Sequence, residues 1–234
     1  GGIPNSFIKQ YTINGLVNPT ITVGTGQTEV WSFDNISSGT NFQIGLYTGS
    51  TLVPNNLFQI SQDGNVLSNA IAGNGLIIAP GSRYSFVITA PSTANTSYTL
   101  KANDIASGNK QGSYPISLVT FTTNNTNGTT LSPVISTGTA LTSPSNNAFV
   151  DLSTAPIAAN RTVVFSSQVA NPNAGNSISG GGGNAFQING ESFPENVIFQ
   201  PRLGTVEEWT ILNYSNQPHP FHIHVNDFQV MSIF

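Results

Sequence analysis

All three histidines of this 234-residue chain fall within six positions, His219-Pro220-Phe221-His222-Ile223-His224. Random scatter would rarely place them together, and His-x-His on a strand is a signal for metal. Alternate residues of a strand share a face, so His222 and His224 would project to the same side about 7 Å apart, with Phe221 and Ile223 on the opposite, apolar side. That separation suits one metal ion or two adjacent ions of a cluster. His219 lies three residues before His222 and so has the opposite parity, and Pro220 restricts the backbone between them. The spacing predicts that His219 serves a different site from the pair. Two metal sites joined through a few residues of backbone suit electron transfer better than hydrolysis.

An internal repeat supplies the frame for these side chains. Tyr11–Gly15 reads YTING and Phe186–Gly190 reads FQING; downstream, Gly26–Asn35 reads GQTEVWSFDN and Gly204–Asn213 reads GTVEEWTILN. After one inserted residue, Phe42-Gln43-Ile44-Gly45 aligns with Phe221-His222-Ile223-His224. A repeat this long implies two copies of one domain. The first copy has Gln43 and Gly45 in place of His222 and His224, and Thr40 near the position of His219. The strand, the Trp and the turn can therefore be built without imidazoles, and a ligand role explains those in the second copy.

The elements that must carry the repeat are short, apolar-alternating runs separated by Gly, Pro and Asn: Thr20–Val23, Glu29–Phe33, Phe42–Leu46, Leu76–Ile78, Tyr84–Ile88, Ser97–Lys101, Ile116–Thr122, Thr162–Ser166, Glu207–Leu212 and Phe221–Val225. This is the spacing of an all-β sandwich. The fold class expected is two Greek-key β-sandwich domains, the second incomplete. The Ser/Thr/Asn-rich stretch Thr122–Thr130 reads as a linker, which places domains at 1–123 and 131–234 with 124–130 between them. The second copy reaches Phe234 ten residues after His224, far short of the first, so the natural protein is expected to continue.

Composition narrows the function classes. Charged residues are 7 % of the chain, against roughly 25 % in typical soluble domains. A net charge of −4 with 38 % apolar residues argues against disorder. Six scattered Lys and Arg form no basic patch, so nucleic acid is not an expected partner. No apolar run approaches the ~20 residues of a membrane span. A polar, weakly charged, β-rich chain leans towards export to the periplasm or the exterior. Sequons at Asn35, Asn95, Asn124, Asn127, Asn160 and Asn213 carry little weight in so Asn-rich a chain. There is no cysteine, hence no disulfide.

The motif HPFHIHVNDFQV, preceded by GTVEEWTILN and FQINGESF, resembles the opening half of the third cupredoxin domain of multicopper oxidases, the laccase and bilirubin-oxidase-like family. Residues 1–123, with LIIAPGSRYSFVI at 76–88, resemble the second domain of that family, which has no copper ligands. The resemblance implies copper as cofactor. His219 would ligate the mononuclear blue copper, His222 the single copper of the trinuclear cluster, and His224 one member of its coupled pair. It implies one-electron oxidation of a reducing substrate coupled to reduction of dioxygen to water. It also implies parts beyond this chain: a first domain with two His-x-His pairs, and a trailing His-Cys-His segment with an axial Met. Met231 is too close to the histidines to be that axial residue. A blue copper site needs a cysteine thiolate, so the chain alone is expected to lack oxidase activity.

Other residues read as structural. Trp31 and Trp209 occupy equivalent repeat positions and suit core packing. Glu29 and Glu207 read as turn or surface partners, Asp227 as surface, Asp63-Gly64 as a turn, and Arg83 as structural. Gly180–Gly183 has no strand–helix context and no following Lys, which excludes a phosphate loop. Two other function classes stay open on the residues alone: a stand-alone copper-binding or delivery module, and a purely structural pair of sandwich domains.

Overall fold

The alternating runs become strands because β-branched and aromatic residues stack on a pleated, half-buried surface, while Asn-Gly and Asp-Gly pairs reverse the chain between them. A computed structural model describes residues 10–37, 39–105, 115–130, 134–142, 150–168, 185–191, 199–215 and 218–234. The chain divides into two compact units, one within Ile8–Ala148 and the other within Phe149–Phe234. Among the described residues no helix is long and apolar enough to cross a membrane.

The first unit contains β1 (Thr20–Thr25), β2 (Thr28–Asp34), β3 (Phe42–Thr48), β4 (Thr51–Leu52), β5 (Leu57–Gln62), β6 (Asn65–Ala72), β7 (Ile77–Ile78), β8 (Arg83–Thr89), β9 (Ser97–Asp104) and β10 (Ile116–Asn127). One sheet runs β1-β10-β9-β3-β4 with β7 also on β3, and the other runs β2-β8-β5-β6. Their inner faces meet in one buried cluster that includes Ile44, Leu46, Leu57, Phe86, Ile88, Leu100 and Phe121. Trp31 packs edge-on against Phe121 at 5.2 Å between ring centroids. Its indole N–H donates to Glu29 Oε2 at 2.7 Å, and Gln27 Nε2 donates to Glu29 Oε1 at 2.9 Å. The core role of Trp31 holds, and Glu29 is the acceptor that lets a polar indole be packed there. Asp63 and Gly64 both have positive φ, as a two-residue type I′ hairpin turn requires between β5 and β6.

The boundary expected at 124–130 differs from the structure. β10 continues to Asn127, where it lies parallel to β1 with Thr25 opposite Asn127. Gly128 N then donates to Thr25 O, and Thr28 N to Thr129 O. A Cβ on Gly24 would lie 2.6 Å from Gly128 Cα, so the backbones approach too closely there for any side chain. Further on, Gly138 N donates to Ala70 O, Ala70 N to Thr139 O, and Leu141 N to Ser68 O, which lays this stretch along β6. Thr and Asn, which read as linker by composition, here complete the edges of a sandwich.

The second unit contains β11 (Ile157–Gln168), β12 (Ala185–Ile188) and β13 (Val206–Asn213), which form one sheet ordered β12-β11-β13. β11 is antiparallel to β12 and parallel to β13. After β12, Asn189 and Gly190 take positive φ, as Asn14 and Gly15 do in the other copy. In each copy the flanking pair, Ile188 with Glu191 and Ile13 with Leu16, exchanges both backbone hydrogen bonds. The repeat therefore recurs as a built turn. Gly180–Gly183 lies outside the described residues.

The strand expected over Phe221–Val225 is not formed. The equivalent β3 is held in a ladder by β9 and β7, whereas among the described residues no strand pairs with 219–225. An extended segment without ladder partners has no reason to hold ideal strand geometry, and Pro220 has no N–H to give.

Candidate metal centre

The histidine segment is positioned by β11 and β13. Tyr214 N donates to Phe165 O at 2.8 Å, carrying the parallel ladder one step beyond β13. Asn213 Oδ1 then accepts from Ser215 N at 3.0 Å and from Ser215 Oγ at 2.8 Å, which turns the chain. His219 follows, its Nε2 2.7 Å from Ser215 Oγ and its ring 5.6 Å from that of Phe165 at 33°.

Phe221 anchors the next step, against Trp209 at 6.3 Å and Phe228 at 5.3 Å. Trp209 also meets Phe199 at 5.0 Å and donates its indole N–H to Glu207 Oε2 at 2.9 Å. Arg161, on β11, grips both oxygens of Glu207, Nε to Oε2 at 2.7 Å and the second nitrogen to Oε1 at 3.0 Å. The Arg161 guanidinium, helped by the Trp209 N–H, pulls the Glu207 carboxyl down to about 2. Glu207 is thus a fixed anion beneath an aromatic stack, as its counterpart Glu29 is a fixed acceptor beneath Trp31.

Exposure alternates along the segment: His219, Phe221 and Ile223 are half-buried, while Pro220, His222 and His224 are exposed. The parity expected from spacing persists although the strand does not. The His222 and His224 rings stand side by side, 4.8 Å between centroids and nearly perpendicular at 85°. Val225 follows with φ 75°, and Asn226 N donates to His224 O at 2.9 Å, a strained three-residue turn for a β-branched residue. Gln229 then ties the outgoing chain back, its Oε1 accepting from Leu152 N at 2.8 Å and its Nε2 donating to Asp151 at 3.0 Å. The Ser153 backbone N–H, and after it the Gln229 amide, hold the Asp151 carboxyl below its ordinary range. Asp227 is exposed, as expected.

The donor set fits part of a copper site. Imidazole nitrogen suits copper, and two adjacent exposed rings form a two-ligand face. Among the described residues, no group of three or more His, Cys, Asp or Glu converges on one point. The structure brings His222 and His224 together and puts His219 on the other parity. Sequence reasoning passed over Ser215, Phe165, Arg161 and Gln229. Extending the repeat by two residues, from Asn35-Ile36-Ser37 to Asn213-Tyr214-Ser215, would have found Ser215.

Residues 157–233, which contain β11 to β13 and all three histidines, match the multicopper oxidase family. The match spans about a third of the chain. Copper is the metal that the family implies. The solved multicopper oxidase of Campylobacter jejuni, described as a metallo-oxidase, is similar to 91 % of this chain with TM-score 0.60 and 18 % identity. A multicopper oxidase from Pediococcus acidilactici is similar to 86 % of it with TM-score 0.56 and 15 % identity. At such identities the likeness shows the fold, the cupredoxin-like sandwich of these oxidases. The chain spans 42 % and 35 % of those two solved chains. No curated protein matches it.

Proposed function

We propose that this chain is the ligand-free second domain and the opening half of the copper-binding third domain of an exported multicopper oxidase. In that protein, four one-electron oxidations of a reducing substrate would be coupled to reduction of dioxygen, with four protons, to two waters. The observation that carries the reading is the split of the histidines: His222 and His224 side by side on the exposed parity, His219 on the inward one. His219 would serve the mononuclear copper, near which substrate is oxidised. His222 would serve the single copper of the trinuclear cluster and His224 one member of its coupled pair. Bound copper would supply one-electron chemistry and the site at which dioxygen is reduced. The chain's own part is to orient imidazoles. Phe221, wedged between Trp209 and Phe228, fixes the backbone between His219 and His222. With copper bound at both, the short covalent path from His219 to His222 would give electrons a route between the two sites.

Copper titration of the full chain tests the assignment. Wild type should bind Cu(II), and His222→Ala combined with His224→Ala should weaken binding at least tenfold. Unchanged binding in the double variant would sink the assignment. Copper bound at these residues in a protein that never consumes oxygen, whatever further domains accompany it, would favour a copper-binding or delivery module instead.

A further inference from the structure

The Asn-x-Ser/Thr triplets carry little weight as sequence, but the fold treats them unequally. One of them, Asn124-Asn125-Thr126, falls where β10 leaves register with β1. Thr123 lies opposite Val23 and Asn127 opposite Thr25, so all three residues of the triplet stand against the single residue Gly24. A bulge of this kind lifts residues out of the ladder and bends the strand. Within it, Asn124 Oδ1 accepts from Thr126 N at 2.9 Å and also from Thr126 Oγ1. Thr25 Oγ1 donates to Thr126 O at 3.1 Å and ties the bulge to β1. The oxygen end of the Asn124 amide is thus fixed by the two donors that the triplet itself supplies. Its Nδ2 has no acceptor among the described residues, and Asn125 and Thr126 beside it are exposed. Hydrogen bonds to an amide oxygen stabilise negative charge there and so make the N–H protons easier to lose, which turns a poor nucleophile into a better one.

The other triplets each lack a part of this arrangement. Asn35 Oδ1 accepts from Ser37 N at 3.1 Å, but its Nδ2 donates to Thr40 O at 2.8 Å and Ile78 O at 2.9 Å, and the residue is buried. After Asn95, the Ser97 hydroxyl pairs across the sheet with Thr122 Oγ1 at 2.7 Å. After Asn127, the backbones of Gly128 and Thr129 are bound to Thr25 and Thr28. Asn160 and Thr162 are alternate residues of β11, about 7 Å apart along the strand. Asn213 closes a turn with Ser215, but beside His219, so a substituent there would stand against the histidine segment.

We propose that Asn124 is an N-glycan acceptor, its Nδ2 taking a saccharide from a lipid-linked glycosyl diphosphate in a transferase-catalysed step. The bond formed joins Nδ2 to the anomeric carbon. The bond broken joins that carbon to the diphosphate, which leaves with the lipid, and one Nδ2 proton passes to a base of the transferase. On a surface with so few charges, a glycan supplies hydration that charge does not. The proposal goes beyond the oxidase reading and shares with it only export. The purified, folded full chain, incubated with an oligosaccharyltransferase and a lipid-linked oligosaccharide, tests it without export. Glycopeptide mass spectrometry should find the saccharide on Asn124 and none on Asn35. Asn124→Gln should lose that glycopeptide and Thr126→Ser should keep it, while a proteolytic digest of the chain should accept at Asn35 as well, since burial is gone. A folded chain unmodified at Asn124, or modified at Asn35 as readily, overturns the proposal. Retention of the chain inside the cell that makes it would sink the export reading, and the reaction with purified chain would still decide the acceptor.

Discussion

Glu207 shows how one carboxylate can do different work from the equivalent one in the same chain. Both Glu29 and Glu207 sit two residues before a Trp and on its side of the strand, and both accept its indole proton. Only Glu207 is also gripped by an arginine, and its side chain is 8 % exposed. Its folded pKa of about 2 lies below the ordinary glutamate value of about 4.3, so the unfolded chain takes up the proton first on acidification. The stabilisation it provides is therefore full above the ordinary carboxylate range and is lost as pH falls towards 2. Urea unfolding of the Trp31→Phe chain, followed by Trp209 fluorescence between about pH 5 and pH 2, should show this decline. Glu207→Gln in the same background should be less stable at the upper end and flatter across the range. A parallel decline in both would remove Glu207 as its cause. The motif Glu-x-Trp was visible in the sequence as a repeat, but its reading as a turn or surface pair missed the indole, because an i, i+2 contact depends on strand pleating that composition does not report.

At the scale of elements, the two Asn-Gly turns look alike in sequence and have unequal duties. Asn14 and Asn189 both take positive φ, which costs a residue such as Ala about 1–2 kcal/mol. Asn189 also stitches its turn to β11: its side chain accepts from Val164 N at 2.7 Å and donates to Thr162 O at 3.0 Å. Each such bond contributes about 1 kcal/mol. Asn189→Ala should therefore cost about 3–4 kcal/mol and Asn14→Ala about 1–2 kcal/mol. Urea midpoints of the two variants check this; equal losses would show that the stitching contributes nothing. The strands themselves were largely legible, since nine of the ten expected runs fall on observed strands. β6 was not, because its outward residues Ile71 and Val66 break the polar alternation that marks a half-buried strand.

For the whole molecule, the decisive inventory is three histidines and no cysteine. A blue copper site needs a thiolate, and four copper sites need far more than three imidazoles. The isolated chain, supplied with copper and a phenolic substrate, should consume no oxygen above a metal-only control. Oxygen uptake that follows the protein would overturn this.

The sequence by itself determined the β class, the twofold repeat, the clustering of the three histidines and the parity that separates His219 from His222 and His224. These are local properties: alternation, turn chemistry and spacing are written along the chain. Tertiary structure decided where the first unit ends, since Thr126 and Asn127 become edge strand only when β1 lies beside them. It also decided that the histidine segment, lacking a ladder partner among the described residues, is an extended loop gripped by Trp209, Phe228 and Gln229 rather than a strand. Most of all it decided the partners of Glu207 and His219. Arg161 is 46 residues from Glu207, and Phe165 meets His219 only because β11 runs parallel to β13. Contacts of that kind are made by sheet register, which depends on which strands pair and is not encoded at any one position.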